Sequence, residues 1–159
     1  MALRKIFTDD AECLYKVTKP VVKFDERLWQ LLDDMADTMY NAEGVGLAAP
    51  QVGILRRAFV IDITEDRSGL IEFINPKIVS TGGLQRGYEG CLSFPDKRGY
   101  VERPNVVLIR AFDRNGKEFE MKGEGLLARA MLHESDHLDG KVYLRLVKDP
   151  PEDFKEEQN

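Results

Sequence analysis

The order of patterns along the chain predicts an α+β fold with largely antiparallel sheet. Three observations carry it: an amphipathic helical stretch leads, a block of strand-like segments follows with no helix between them, and a second helical stretch closes the block. With 159 residues the chain has the length of a single domain and can bury about 68–70% of its unfolded surface. Hydrophobic residues make up 43% and charged residues 32%, with 13 Gly and 7 Pro, which excludes the disordered, collagen-like and coiled-coil classes.

The leading helix is read from Phe24 to Asn41, where Leu28, Leu31, Leu32, Met35 and Met39 recur at spacings of three and four. Asp25 is placed to cap it, Phe24 and Trp29 to staple its first turn, and Gly44 to relieve its end. The small-residue run from Gly44 to Gln51 reads as irregular backbone. Strands are expected at Ala58 to Asp62, Ile71 to Ile74, Lys77 to Ser80 and Val106 to Phe112, each rich in Val, Ile or Phe between turn residues. Asp113-Arg114-Asn115-Gly116 reads as a hairpin connection, after which Phe119 and Met121 alternate with charged residues. The second helix is expected from about Glu124 to Asp139, with Gly140 as its stop. No repeat or linker divides residues 1–148. Residues 149–159 hold five acids against Lys155 alone, with Pro150-Pro151 interrupting any helix, and read as an acidic, loosely held tail.

The charge balance narrows the partners. Against 23 Lys and Arg stand 28 Asp and Glu, a formal charge of −5, so no surface built to neutralise phosphates and no direct nucleic-acid partner is expected. Two cysteines, Cys13 and Cys91, make at most one bridge, which points to a reducing compartment. Arg4, Asp9 and Asp10 precede any signal-like apolar stretch, and no segment approaches the ~20 apolar residues of a membrane helix. The expected location is the cytoplasm, with no membrane partner.

Both histidines of the chain fall in His133-Glu134-Ser135-Asp136-His137, an HExxH pattern within the second helix. Four residues apart, the imidazoles share one helical face and can bind a single cation. Leu126 and Ala130 continue that stripe, so the face is expected to point inward. Two core histidines bonded to neighbours are the bland alternative; the intervening glutamate and the absence of any other histidine favour metal. A catalytic centre of this kind takes a third protein ligand and leaves one position for water. Three residues past Gly140 stands Tyr143, where a metzincin has its third histidine, and Glu152, Glu156 and Glu157 lie in the polar tail beyond the prolines. Cysteine is the remaining strong donor. Cys91 sits in Glu89-Gly90-Cys91-Leu92-Ser93 between strand-like segments, whereas Cys13 reads as an inert thiol. Gly44 to Ala49 formally matches GxGxxA, but it follows a helix and runs into Pro50, the reverse of a dinucleotide-binding context. Gln51 in that run can donate to a developing oxyanion; a tight packed loop is the other reading.

Taken together and in this order, GVGLAAPQ at 44–51, EGCLS at 89–93 and HESDHL at 133–138 resemble the peptide deformylase family. The likeness runs through LLDDMADTMYNAEGVGLAAPQVGI from Leu31 and through EGCLSFPDKRGYVERP, and covers roughly residues 1–145. It implies antiparallel β-sheets packed around a central helix carrying HExxH, with one N-terminal helix. It further implies one divalent metal ion per chain held by Cys91, His133 and His137. That ion is natively ferrous iron, readily replaced by zinc or nickel, and cobalt suits the same donors. By the same resemblance Glu134 shuttles the proton, Gln51 and the Leu92 N–H bind the oxyanion, and Gly46 and Arg98 contact substrate. Leu126 and Ala130 are candidates for an apolar pocket that takes the methionine side chain. The implied reaction is hydrolysis of the N-formyl group from formyl-methionine on nascent polypeptides, with formate released. Residues 1–148 would then be a single catalytic domain in transient proximity to the ribosome. Two departures stand out. Leu132 replaces the glutamine usual before HExxH, which implies altered support around the metal. The acidic tail is also a poor substitute for the longer C-terminal helix that docks some members on the ribosome. An HExxH peptidase cutting internal bonds and a non-catalytic metal-binding module are the rival readings.

Overall fold

The computed structural model describes residues 2–155, so the expectations placed on residues 156–159 lie outside the described residues. Helix α1 spans Glu26–Asn41; the Asp25 carboxylate accepts from the Leu28 N–H at 3.3 Å, as the cap requires. Phe24 packs at 6.1 Å from Phe112, and the Trp29 indole donates to the Arg114 carbonyl at 2.7 Å. The residues expected to staple the helix start are thus both engaged by the far end of the sheet.

Five antiparallel strands form the main sheet: β1 (Gly46–Ala48), β2 (Ala58–Ile61), β3 (Ile71–Gly82), and, after a separate hairpin of β4 (Gln85–Cys91) and β5 (Phe94–Arg103), β6 (Val106–Phe112) and β7 (Glu118–Glu124). Their order is β1-β2-β3-β6-β7, which leaves β1 and β7 as edges. Strand β2 shows how the sheet is used. Ala58 and Val60 face α1 with Leu31, Met35 and Met39, while Phe59 and Ile61 face helix α2 (Leu126–Leu138) with Met131 and Leu138. All four β2 residues are buried, because both faces of the strand are covered. On its other side α2 meets the β4–β5 hairpin, where Leu14, Phe94, Val101 and Tyr143 form a third apolar cluster. The expected arrangement of antiparallel sheets around the HExxH helix is therefore the one observed. No helix among the described residues is long and apolar enough to cross a membrane.

Four expectations change. The run Gly44 to Gln51 is not irregular throughout: Gly46–Ala48 is a strand paired with β2 (Leu47 opposite Val60), and Ala49–Val52 is a 3₁₀ turn. Small residues carry little strand signal of their own, and pairing with a fully buried neighbour decides the matter. Ile71 to Ile74 and Lys77 to Ser80 are one strand, irregular at Asn75-Pro76, where Asn75 adopts φ +49° and its amide bonds both the N–H (2.8 Å) and C=O (2.9 Å) of Val21. The whole β4–β5 hairpin is absent from the sequence reading. The tail is held at Phe154, whose ring lies 4.8 Å from Tyr100 and 5.9 Å from Tyr88, just after Val147 fills the space over Gly99 and the Lys148 N–H bonds the Tyr100 carbonyl at 3.1 Å. A single aromatic in a polar segment provides the grip.

Candidate metal centre

Helix α2 presents His133 and His137 one turn apart, with ring centroids 5.0 Å apart, and both rings are buried. Cys91 ends β4 at a register irregularity after Gly90, a local bend that re-aims its side chain toward the helix. Its Sγ lies 3.3 Å from His137 Nε2, and one ligand atom from each of the three residues falls within 4.8 Å of the others. Thiolate and imidazole ligands on one tetrahedral ion would sit about 3.6 Å apart, so the spacing and the donor set fit a borderline-soft divalent cation. Three donors leave a further coordination position.

The ligand face is backed by a buried charge network. His133 Nδ1 is 2.5 Å from Glu89 Oε2, which directs Nε2 toward the other two donors. Glu89 also receives Arg103 Nε (3.1 Å) and Nη2 (2.7 Å) and Arg129 Nη1 (2.8 Å); Arg103 extends to Asp136 at 2.9 Å. Burial opposes charge on Glu89, yet the His133 and Arg103 bonds hold its carboxyl well below the usual range. Burial likewise opposes protonation of His133, but the Glu134 charge and the bonds to Cys91 and Glu89 raise it well above its ordinary value. For His137, burial and the neighbouring His133 charge outweigh the raising effect of Glu89 and push it well below its ordinary value.

Glu134 is buried beside the ligands, and burial raises its carboxyl to about 7 against the lowering effect of His133. Its Oε1 has no hydrogen-bond partner among the described residues. Its other oxygen lies against Gly46, where a Cβ would come within 2.5 Å, so only glycine fits there beside the carboxylate. Gln51, also buried, has a fixed orientation. Its Oε1 accepts from the Ala48 N–H at 2.9 Å, which leaves Nε2 to donate, to Ser93 Oγ at 3.1 Å and Cys91 Sγ at 3.5 Å.

These groups open onto a cavity of about 350 Å³ whose lining includes Gly46, Gln51, Cys91, Leu92, Leu126, Ala130, His133 and Glu134. Eight of the ten residues singled out from the sequence therefore share one wall. His137 is wholly buried behind it, and Arg98 lies off it on β5, opposite Gly90, with its guanidinium 5.0 Å from the Tyr88 ring. Leu126 departs from the inward stripe expected of it: at 51% exposure it forms the rim, because the first turn of α2 reaches the cavity mouth. Leu132 packs against the apolar α2–sheet cluster. The sequence reading passes over Glu89, Arg103 and Arg129. Their one visible signal is charge within segments that turn out to be strand for Glu89 and Arg103 and the buried side of helix α2 for Arg129.

Comparison with known proteins agrees with this geometry. A family model described as polypeptide deformylase matches residues 3–152. The peptide deformylase of Caldicellulosiruptor bescii is 58% identical over 147 residues, 92% of this chain and 87% of that protein. Peptide deformylase 1 of Bacillus subtilis is 52% identical over 90% of this chain and 89% of its own length. Among solved structures, a peptide deformylase from Legionella pneumophila superposes with a TM-score of 0.90 at 49% identity, covering 92% of this chain and 87% of that one. The Thermotoga maritima enzyme gives 0.89 at 37%, covering 94% and 100%.

Proposed function

The chain belongs to the polypeptide deformylase family, hydrolases of formyl-methionyl peptides, and from that premise we propose how its own side chains carry out the reaction. Cys91, His133 and His137 hold one divalent cation, ferrous iron natively, with zinc, nickel or cobalt accepted by the same donors. The observation that supports this is the convergence of one sulfur and two imidazoles within 4.8 Å, beside a buried carboxylate with an unpartnered oxygen. A cation bound there supplies Lewis acidity that makes water a nucleophile near neutral pH and polarises the formyl oxygen.

The protein's side chains do the rest. Glu134 Oε1 takes a proton from the attacking water, and a carboxyl raised to about 7 both accepts and returns that proton near neutrality. The water oxygen bonds to the formyl carbon; the resulting oxyanion is met by Gln51 Nε2 and the Leu92 N–H, and one such donor is typically worth about 10²- to 10³-fold in rate. Because Ala48 holds Gln51 Oε1, the amide cannot present its oxygen instead. Glu134 then gives the proton to the amine nitrogen as the C–N bond breaks, leaving formate and a free amino terminus. Gly46, on the outer edge of the sheet, offers backbone to the peptide, and Leu126 and Ala130 flank the methionine side chain. Arg98, off the cavity wall, is left to residues further along the peptide. Every one of these groups lies within residues 1–148, which form the catalytic domain. Action on nascent chains places the protein in the cytoplasm and in transient proximity to the ribosome.

The test is formate release from formyl-methionyl peptides by protein purified without oxygen, with metal measured on the same sample. Stoichiometric formate with metal present is expected. Cleavage of deformylated peptides or intact proteins instead would identify an internal peptidase, and metal-replete but inert protein a binding module.

A further inference from the structure

Residues 62–70, the loop after β2, take no part in the reaction just described, yet they are tied down heavily. Asp62, fully buried, accepts from the Thr64 N–H (2.9 Å) and hydroxyl (2.6 Å), the Gly69 N–H (3.2 Å) and the Tyr40 hydroxyl (2.8 Å). Its own N–H donates to the Val45 carbonyl at 2.8 Å. Arg67 closes the arrangement. Its Nη1 donates to the Gly44 carbonyl at 2.9 Å and to the Asp62 carbonyl at 3.3 Å, and its guanidinium lies 5.4 Å from the Tyr40 ring. Gly44 and Val45 line the cavity, and the next residue, Gly46, abuts Glu134. Apart from Arg67, the tether on Gly44 among the described residues is its N–H bond to the Met39 carbonyl at 2.9 Å.

Arg67 makes these bonds from φ +58°, the left-handed region where a long side chain is disfavoured and glycine is at ease. Strain of this kind persists where the surroundings over-determine it, and it concentrates at functional sites. Here the surroundings are the cavity wall. A guanidinium bond to a carbonyl is among the stronger hydrogen bonds, and this one acts on the backbone rather than on a replaceable side chain.

We propose that Arg67 is a positioning residue for substrate: by holding the Gly44 carbonyl it keeps the Gly44–Gly46 backbone at the setting that receives the peptide beside Glu134. The inference rests on the deformylase reading and adds to it a residue outside the cavity. It separates strain from function, because Arg67→Gly removes the side chain and relieves φ, whereas Arg67→Ala removes the side chain and keeps the strained backbone.

The experiment measures kcat and KM for a formyl-methionyl peptide, together with the urea midpoint, for wild type, Arg67→Ala, Arg67→Gly and Arg67→Lys. KM is expected to rise roughly tenfold in both the Ala and Gly variants while kcat stays within about threefold of wild type. The Gly variant should be at least as stable as the Ala variant, and the Lys variant, with one donor in reach, should recover part of the KM. Unchanged KM in the Ala and Gly variants overturns the proposal, and so does a KM that follows the urea midpoint, which would make Arg67 structural only. Wild-type protein that releases no formate overturns the deformylase reading itself, a result visible before any variant is compared.

Discussion

Glu89→Ala strikes the support of the metal centre without touching a ligand. It removes the acceptor of four short contacts at once: His133 at 2.5 Å, Arg103 at 3.1 and 2.7 Å, and Arg129 at 2.8 Å. The side chains of Glu89 and Arg103 are each 4% exposed and that of Arg129 is 9%, so water cannot replace what is lost. The cost is not a sum of four bonds; it is the cost of cations left unpaired, about 3–5 kcal/mol for a broken buried pair. Arg103 keeps Asp136 at 2.9 Å, whereas Arg129 retains only the neutral acceptors Gln85 Oε1 and Val101 O, each at 3.1 Å. Arg129 therefore carries most of the penalty, and the upper part of that range is expected from a total stability of about 5–15 kcal/mol. Glu89→Gln keeps volume and one acceptor and should cost less, ~3 kcal/mol. Loss of the His133 partner should also weaken metal binding by about 10- to 100-fold. Urea unfolding of metal-free protein reads the first effect and competition with a chromophoric chelator the second. An alanine variant within about 1 kcal/mol of wild type, with unchanged metal affinity, would refute the account of the network.

Glu134→Ala should retain stoichiometric metal yet lose about 10²- to 10⁴-fold in turnover, while Cys91→Ser should lose metal first; kinetics and metal analysis on the same preparations distinguish them. Gly46→Ala places a methyl group 2.5 Å from Glu134 Oε2 and 3.0 Å from its Cδ, so strand and carboxylate must part. A stability loss of about 1–3 kcal/mol and a fall in kcat beyond about tenfold are expected, and wild-type kcat would contradict the contact. Burial and the Asp62 bond raise the Tyr40 hydroxyl to about 12 in the folded protein. The unfolded chain then releases this proton first, so stability declines as pH rises from about 10 through 12, and Tyr40→Phe should remove that part of the decline. Parallel urea midpoints for the two proteins across that range would argue against it.

Legibility in the sequence followed the kind of force that shapes each element. Helices α1 and α2 carry apolar residues at the period of their own geometry and strand β6 is an almost unbroken run of Val, Leu, Ile and Phe, so Leu28 to Met39 and Val106 to Phe112 announce themselves. The β4–β5 hairpin is written in another code. Gly99 is there so that Val147 can sit against the strand, with its methyl groups 2.5 and 2.6 Å from where a Cβ would stand. Glycines placed for close approach look like turn residues until the partner is known. The candidate ligand set was legible because His133 and His137 share one helical face and Cys91 has few competitors. Their support was not: Glu89 meets Arg103 across 14 residues, Arg129 across 40 and His133 across 44, separations that carry no local pattern.

Those separations also set an order in time. During synthesis Glu89 and Cys91 are added before Arg129, His133 and His137, since helix α2 comes after two further strands. A growing chain thus carries Glu89 with Arg103 as its one countercharge from the same hairpin, and Cys91 without the two histidines it converges with, until synthesis is almost complete. An interrupted chain that stops short of α2 lacks two of the three converging side chains, so the candidate metal centre is complete only when that helix has been made.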